Sequence, residues 1–329
     1  MKHLSYKAPA WLPGAHLQTV WPLLLRNRLL PQYRREQLDT PDGDFLDIDW
    51  IDGSSRDAPL LVLFHGLEGS SASPYAHALM QAVQTQGWRG VVVHFRGCSG
   101  RPNRLPRAYH SGDSAEVAWV LAQLQQRQAG APLFAVGVSL GGNALLKYLG
   151  EQGSAARHIV SAAAAVSVPY DLAAADRCLS RGIARLYARH FLKTLIPQAL
   201  AKAQRFPNQP GLNQPERIRN AKTLREFDDA VTAPLHGFRD ADDYYTQSSS
   251  GQYVARIAVP ALLLHALNDP FLPPTEIPVR ATLPANVHLE TSSDGGHVGF
   301  VSGYFPGQLN WLPERLLHEF SRSVHSTES

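Results

Sequence analysis

Four stretches of the chain are apolar at nearly every position: residues 59–64, 91–95, 132–137 and 260–264. Runs this short and unbroken suit strands buried on both faces, as in a parallel sheet covered by helices. Between them, residues 75–86 and 116–128 place apolar side chains three and four apart, which predicts amphipathic helices. Residues 46–51, after the Pro41-Asp42-Gly43 turn, predict a further strand, as do 158–168 and 287–290. Helices are predicted near 275–281 and over 309–324. This alternation predicts an α/β fold built on a mostly parallel, doubly wound sheet. From 171 to 253 the sheet rhythm stops. Helical stretches at 179–195, 197–204 and 215–227 follow one another with no buried strand between them. The expected organisation is a core of residues 36–170 and 254–329, a helical cap insertion over 171–253, and an irregular N-terminal segment, 1–35, packed on the core.

Composition narrows the function classes. Apolar residues make up 44% of the 329, enough for a sizeable core and too many for a disordered chain. The net charge of +3, with no Lys/Arg run interleaved with aromatics, argues against a nucleic-acid partner. Arg26, Arg28, Arg34 and Arg35 bias the N-terminal region towards basic, which reads as a solvated face or a weak attraction to anionic lipid. The two cysteines, Cys98 and Cys178, have no metal-ligand spacing, so neither a zinc site nor a disulfide scaffold is expected. Residues 1–5 lack an apolar signal core. The apolar stretch 20–25 is interrupted by Pro22 and ends at Arg26, far short of the roughly 20 residues a membrane span needs. The expectation is a soluble cytoplasmic protein with no integral membrane segment.

The chemistry begins where one of the buried runs ends. Gly137-Val138-Ser139-Leu140-Gly141 follows an apolar strand and precedes the helix-forming Ala144-Leu145-Leu146-Lys147-Tyr148. This is the strand–turn–helix setting of a GxSxG nucleophile elbow, in which small residues flank the serine because strand and helix crowd together. A serine hydroxyl needs a base to take its proton and a carboxylate to orient that base. Asp269 stands just after the strand run at 260–264, in Asn268-Asp269-Pro270. His297 stands after the strand at 287–290, in a loop that Gly295 and Gly296 make pliable. His265 reads as a core histidine, His288 lies in a strand, His236 belongs to the insertion, and Asp294 reads as a turn residue. The charge that develops on a substrate oxygen needs fixed donors. Those expected are the backbone N–H groups of Leu140 and of Leu67, the latter in His65-Gly66-Leu67-Glu68-Gly69. His65 reads as holding that loop by hydrogen bonds, and Glu68 as solvated or structural. Arg96-Gly97-Cys98-Ser99-Gly100 reads as a tight loop whose arginine ties its neighbours together, rather than a phosphate cradle.

The elbow, Asp269 and His297 together resemble the α/β-hydrolase superfamily. Three further segments are similar to its YheT-like branch, the ABHD1/2/3-type or AB hydrolase 4 family. They are Pro13-Gly14-Ala15-His16-Leu17-Gln18-Thr19, His65-Gly66-Leu67-Glu68-Gly69, and Arg225-Glu226-Phe227-Asp228-Asp229 with Gly237-Phe238-Arg239-Asp240-Ala241-Asp242-Asp243-Tyr244-Tyr245. The last stretch reads as an ordered return from the insertion to the sheet. The resemblance implies a serine hydrolase of carboxylic esters, with some relatives linked to lipids, and puts the charge relay on Ser139, Asp269 and His297. The N-terminal membrane anchor of eukaryotic relatives has no counterpart in residues 1–35. The expectation is therefore an esterase acting on a small-molecule ester through an acyl-enzyme, with no metal or organic cofactor. Its rivals are an acyltransferase on the same triad and a non-enzymatic binding protein on the same fold.

Overall fold

A computed structural model describes residues 5–25, 31–128 and 130–325, so Arg26 and Arg28 lie outside the described residues. Eight strands form one sheet: β1 (Arg34–Asp39), β2 (Phe45–Ile51), β3 (Leu60–Phe64), β4 (Arg89–Val93), β5 (Leu133–Val138), β6 (Ala162–Val166), β7 (Ala261–Ala266) and β8 (Val287–Ser292). Their spatial order is β1-β2-β4-β3-β5-β6-β7-β8. β1 and β2 are antiparallel to their neighbours, and every other pairing is parallel. The unbroken apolar runs have their explanation here. Along β3, Leu60, Val62 and Phe64 pack into one core while Leu61 and Leu63 pack into the other.

Helix α1 (Ala15–Val20) precedes the sheet. Helices α2 (Pro74–Thr85), α3 (Ser114–Gln125) and α4 (Leu140–Gln152) connect the parallel strands. The chain between β6 and β7 forms α5 (Leu172–Leu179), α6 (Arg185–Arg205), α7 (Pro215–Asn220), α8 (Leu224–Phe227), α9 (Ala233–Leu235) and α10 (Ala241–Ser248). The closing helix is α11 (Trp311–His325). α3 and α4 cover one face of the sheet, α2 and α11 the other. Among the described residues, no helix is long and apolar enough to cross a membrane.

Four elements differ from the sequence expectation. β1 forms in a segment with no alternation, since only Leu38 of its six residues is buried. Ladder pairing with β2 and the Arg35–Asp49 ion pair hold it instead. The 158–168 strand shortens to β6, because 153–158 wind into a 3₁₀ turn. No helix forms over 275–281. Pro274 and Pro278 withhold backbone donors there, leaving two single turns, Pro274–Glu276 and Arg280–Thr282. Conversely, the predicted break at Pro197 is absent, and α6 runs through it. Packing of Leu192, Ala199 and Ala203 against Leu212, Ile218 and Phe227 outweighs the one hydrogen bond that proline removes.

Candidate active site

β5 ends at Val138, and Ser139 adopts φ 53°, ψ −119°, a left-handed conformation that L residues avoid. The turn is held at both ends: Ser139 N–H donates to Val166 O at 2.8 Å, and its carbonyl accepts from Asn143 N–H at 3.0 Å. The flanking glycines are sterically required. A Cβ on Gly137 would lie 2.5 Å from Gly142 Cα, and one on Gly141 would overlap the Phe64 carbonyl oxygen. The elbow thus brings the amino end of α4 against the end of β3, with the serine hydroxyl projecting between them.

Two strand ends deliver partners to that hydroxyl. His297 Nε2 lies 3.1 Å from Ser139 Oγ, and Nδ1 lies 2.8 Å from Asp269 Oδ2. Asp269 is buried, and its other oxygen accepts from Phe271 N–H at 2.8 Å. The Phe271 ring stacks on the His297 imidazole at 4.1 Å between centroids. A carboxylate facing Nδ1 keeps the proton on that nitrogen and leaves Nε2 free to accept from the serine. On the opposite side, Gly66 packs against Ser139, where a Cβ would lie 3.2 Å from the serine Cβ. Gly66 N–H donates to Tyr75 Oη and Glu68 N–H to Tyr109 Oη, each at 2.9 Å. Between them, the Leu67 N–H has no partner among the described residues, and neither has Leu140 N–H at the start of α4. The structure therefore brings Ser139, Asp269, His297, Leu67 and Leu140 to one place.

The other candidates separate from this group. His65 is buried and neutral: burial pushes its imidazole down to about 3, and it bridges Gly66 O (2.8 Å) and Phe95 N–H (3.2 Å). His265 is likewise buried, lowered to about 4 by desolvation, and lies 3.0 Å from Tyr170 Oη. His288 is exposed on β8, and His236 bridges Thr232 O and Ala108 O within the helical segment. Glu68 accepts from Tyr109 Oη (2.8 Å) and Gln198 (3.0 Å). Arg96 ties Asp42, Asp44 and Glu116 together, so its guanidinium is taken up by carboxylates of the protein itself. Cys98 is half-buried, with desolvation pushing its thiol up. Asp294 accepts from Asn268 at 3.3 Å and caps its own turn through Ser293. Asp240 caps α10 while Tyr244 and Tyr245 are buried beneath it.

Sequence reasoning did not assign a role to two residues that hold the histidine loop. On α1, Thr19 Oγ1 accepts from His297 N–H at 2.9 Å and donates to Ala15 O at 2.8 Å. Gln18 is 1% exposed. Its Oε1 accepts from Gly295 N–H (2.8 Å) and Asn268 Nδ2 (2.9 Å), and its Nε2 donates to Leu12 O (3.0 Å). Gly296, at φ 59°, has no room for a side chain, since a Cβ would lie 2.7 Å from Thr19 Oγ1. The available signal was that Gln18 and Thr19, with His16, are the three polar residues of the stretch 8–25, which has no Lys, Arg, Asp or Glu.

Above Ser139 and His297 opens a cavity of about 790 Å³. Its far walls come from α5, α6 and α8, through Leu172, Leu179, Phe191, Leu195 and Phe227. The surface is mostly aliphatic and aromatic, which suits an acyl chain better than a polar group.

Residues 59–304 match the family model described as the alpha/beta hydrolase fold. YheT of Escherichia coli (strain K12), whose name carries an inferred esterase activity, is 43% identical over 305 residues, covering 92% of this chain and 89% of that protein. The mouse (Mus musculus) phospholipase ABHD3 is 32% identical over 329 residues, covering 97% and 79% respectively. Among solved structures, the Pyrococcus furiosus esterase Pf2001 superposes with a TM-score of 0.56 at 16% identity, covering 91% of this chain and 96% of that one.

Proposed function

The chain belongs to the alpha/beta hydrolase fold family, in the branch of YheT and the ABHD3 phospholipases, and on that premise we propose that it is a carboxylic ester hydrolase working through Ser139, His297 and Asp269. His297 Nε2 takes the proton as Ser139 Oγ bonds to the acyl carbon. The oxyanion of the tetrahedral intermediate is met by the N–H groups of Leu67 and Leu140. The intermediate collapses as His297 returns the proton to the leaving alcohol, leaving an acyl-enzyme on Ser139. Water, deprotonated by the same imidazole, then attacks the acyl carbon. The acid is released and Ser139 regains its proton. Asp269 stays ionised throughout and steadies the imidazolium.

The observation that carries this reading is the unbroken line of hydrogen bonds from Ser139 Oγ through His297 to Asp269, 3.1 Å and 2.8 Å long, at the floor of an apolar cavity. Residues 171–253 form the cap that shapes the acyl pocket in this reading, with the described part of residues 1–35 as a strap on the core of 36–170 and 254–329. The test is turnover of a p-nitrophenyl ester series from acetyl to palmitoyl by wild type and Ser139→Ala. The wild type hydrolyses the series with a chain-length optimum set by the cavity. The variant falls by on the order of ten-thousandfold or more and no longer takes a fluorophosphonate label. Wild-type turnover in Ser139→Ala would refute the assignment.

A further inference from the structure

The mouth of the cavity is ringed by apolar side chains that no described residue covers. Val20 and Leu23, on α1 and the turn after it, line one side, and Ile183 and Leu186 line the other. Leu23, Ile183 and Leu186 are 64%, 59% and 60% exposed. Leu17 and Leu24 extend the same surface outwards at 51% and 68%. The two sides are joined by His16 Nδ1, 3.1 Å from Tyr187 Oη. An apolar patch continuous with an apolar substrate cavity marks a binding surface, not scattered exposure.

The charges beside it indicate what binds. α6 carries five Lys/Arg and no acidic residue. Lys202 and Arg205 are committed to backbone carbonyls of residues 103–107. Arg185 and Arg189 are exposed one turn apart beside Leu186, and neither has an ion-pair partner among the described residues. Residues 8–25, on the other side of the mouth, contain no charged side chain. A second copy of the chain packed on this face about a two-fold axis through the mouth would set the arginines against residues 8–25, which offer them no acidic partner. An anionic lipid surface would pair them, while Leu17 and Leu24 entered the boundary between headgroup and acyl chain.

We propose that this rim docks the protein on an anionic phospholipid surface, with the cavity mouth facing the lipid, so that an acyl ester enters from the bilayer without crossing water. The proposal rests on the ester-hydrolase reading for its substrate, but its test does not. Ser139→Ala protein, which leaves the lipid intact, is sedimented with vesicles of phosphatidylcholine and of phosphatidylcholine mixed with phosphatidylglycerol. Binding is expected to the mixed vesicles and to be much weaker on phosphatidylcholine alone. Adding Arg185→Gln and Arg189→Gln should weaken it by about 30-fold at low salt. Adding Leu17→Gln and Leu24→Gln should weaken it by about tenfold or more. In the Ser139-intact background, both pairs keep wild-type turnover of soluble p-nitrophenyl acetate, which shows that they fold. Failure of the Ser139→Ala protein to sediment with either vesicle overturns the proposal. So does a dimer, seen by sedimentation velocity, that Leu24→Gln dissociates. If vesicles bind but no ester is ever hydrolysed, the function reading fails and the docking surface stands.

Discussion

Replacing Gln18 by Met tests whether the N-terminal strap places His297. Methionine fills a similar volume but can neither accept from Gly295 N–H and Asn268 nor donate to Leu12 O. Asn268 keeps a second acceptor in Asp294 at 3.3 Å, so the unpaired groups are chiefly the Gly295 N–H and the Leu12 carbonyl. Stranding buried polar groups costs about 1–2 kcal/mol each, or about 2–4 kcal/mol together. The chain can relieve most of that by letting residues 294–297 drift from the strap towards water. Were all of it spent in that way, the competent arrangement of His297 would become about 30- to 1000-fold rarer. Thr19 still holds His297 N–H, so the lower end is expected, a fall in kcat of about 30-fold. KM for p-nitrophenyl acetate should change little, because Gln18 does not line the cavity. Steady-state kinetics with a parallel thermal melt measure both. A variant with kcat within twofold of wild type and an unchanged melt would refute the positioning role.

Asp269→Asn should lower kcat by roughly a thousandfold to ten-thousandfold while the protein stays folded, because the amide no longer holds the required tautomer of His297; turnover close to wild type would remove Asp269 from the relay. Burial in the cavity wall pushes the Asp228 carboxyl from 3.8 up to about 7, so the native chain keeps a proton there that the unfolded chain has lost above about pH 4. Stability from this group is present below about pH 4 and is lost as pH rises through about 7. Melting temperatures taken across that window should decline more steeply for wild type than for Asp228→Asn, and parallel curves would show that Asp228 titrates elsewhere.

The sheet was legible because burial on both faces writes itself into composition: β3, β4, β5 and β7 each carry a short apolar run. Ser139 and Asp269 could be singled out because each stands in a glycine- or proline-marked turn just past such a run, and His297 because Gly295 and Gly296 mark the loop after the next strand. β1 could not, since a charged edge strand has one buried face at most and draws its stability from a neighbour remote in pattern. The helix through Pro197 was hidden for a related reason. Local propensity breaks it, and only the packing of distant residues restores it. Gln18 and Thr19 were the hardest to assign. A short helix in a proline-rich segment has no periodicity to read, and their partners lie at the other end of the chain.

That separation has a consequence for how the protein is made. Gln18 and Thr19 leave the ribosome long before their partners, since Gly295 and His297 are synthesised 277 and 278 residues later. Until then the apolar strap can pack on α2 but lacks the histidine loop, so part of it stays open to chaperones, proteases and other nascent chains. The contact of highest sequence separation at the site is thus among the last that can form. In refolding, recovery of ester turnover should lag recovery of secondary structure, which makes enzymatic activity a measure of whether the two ends of the chain have met.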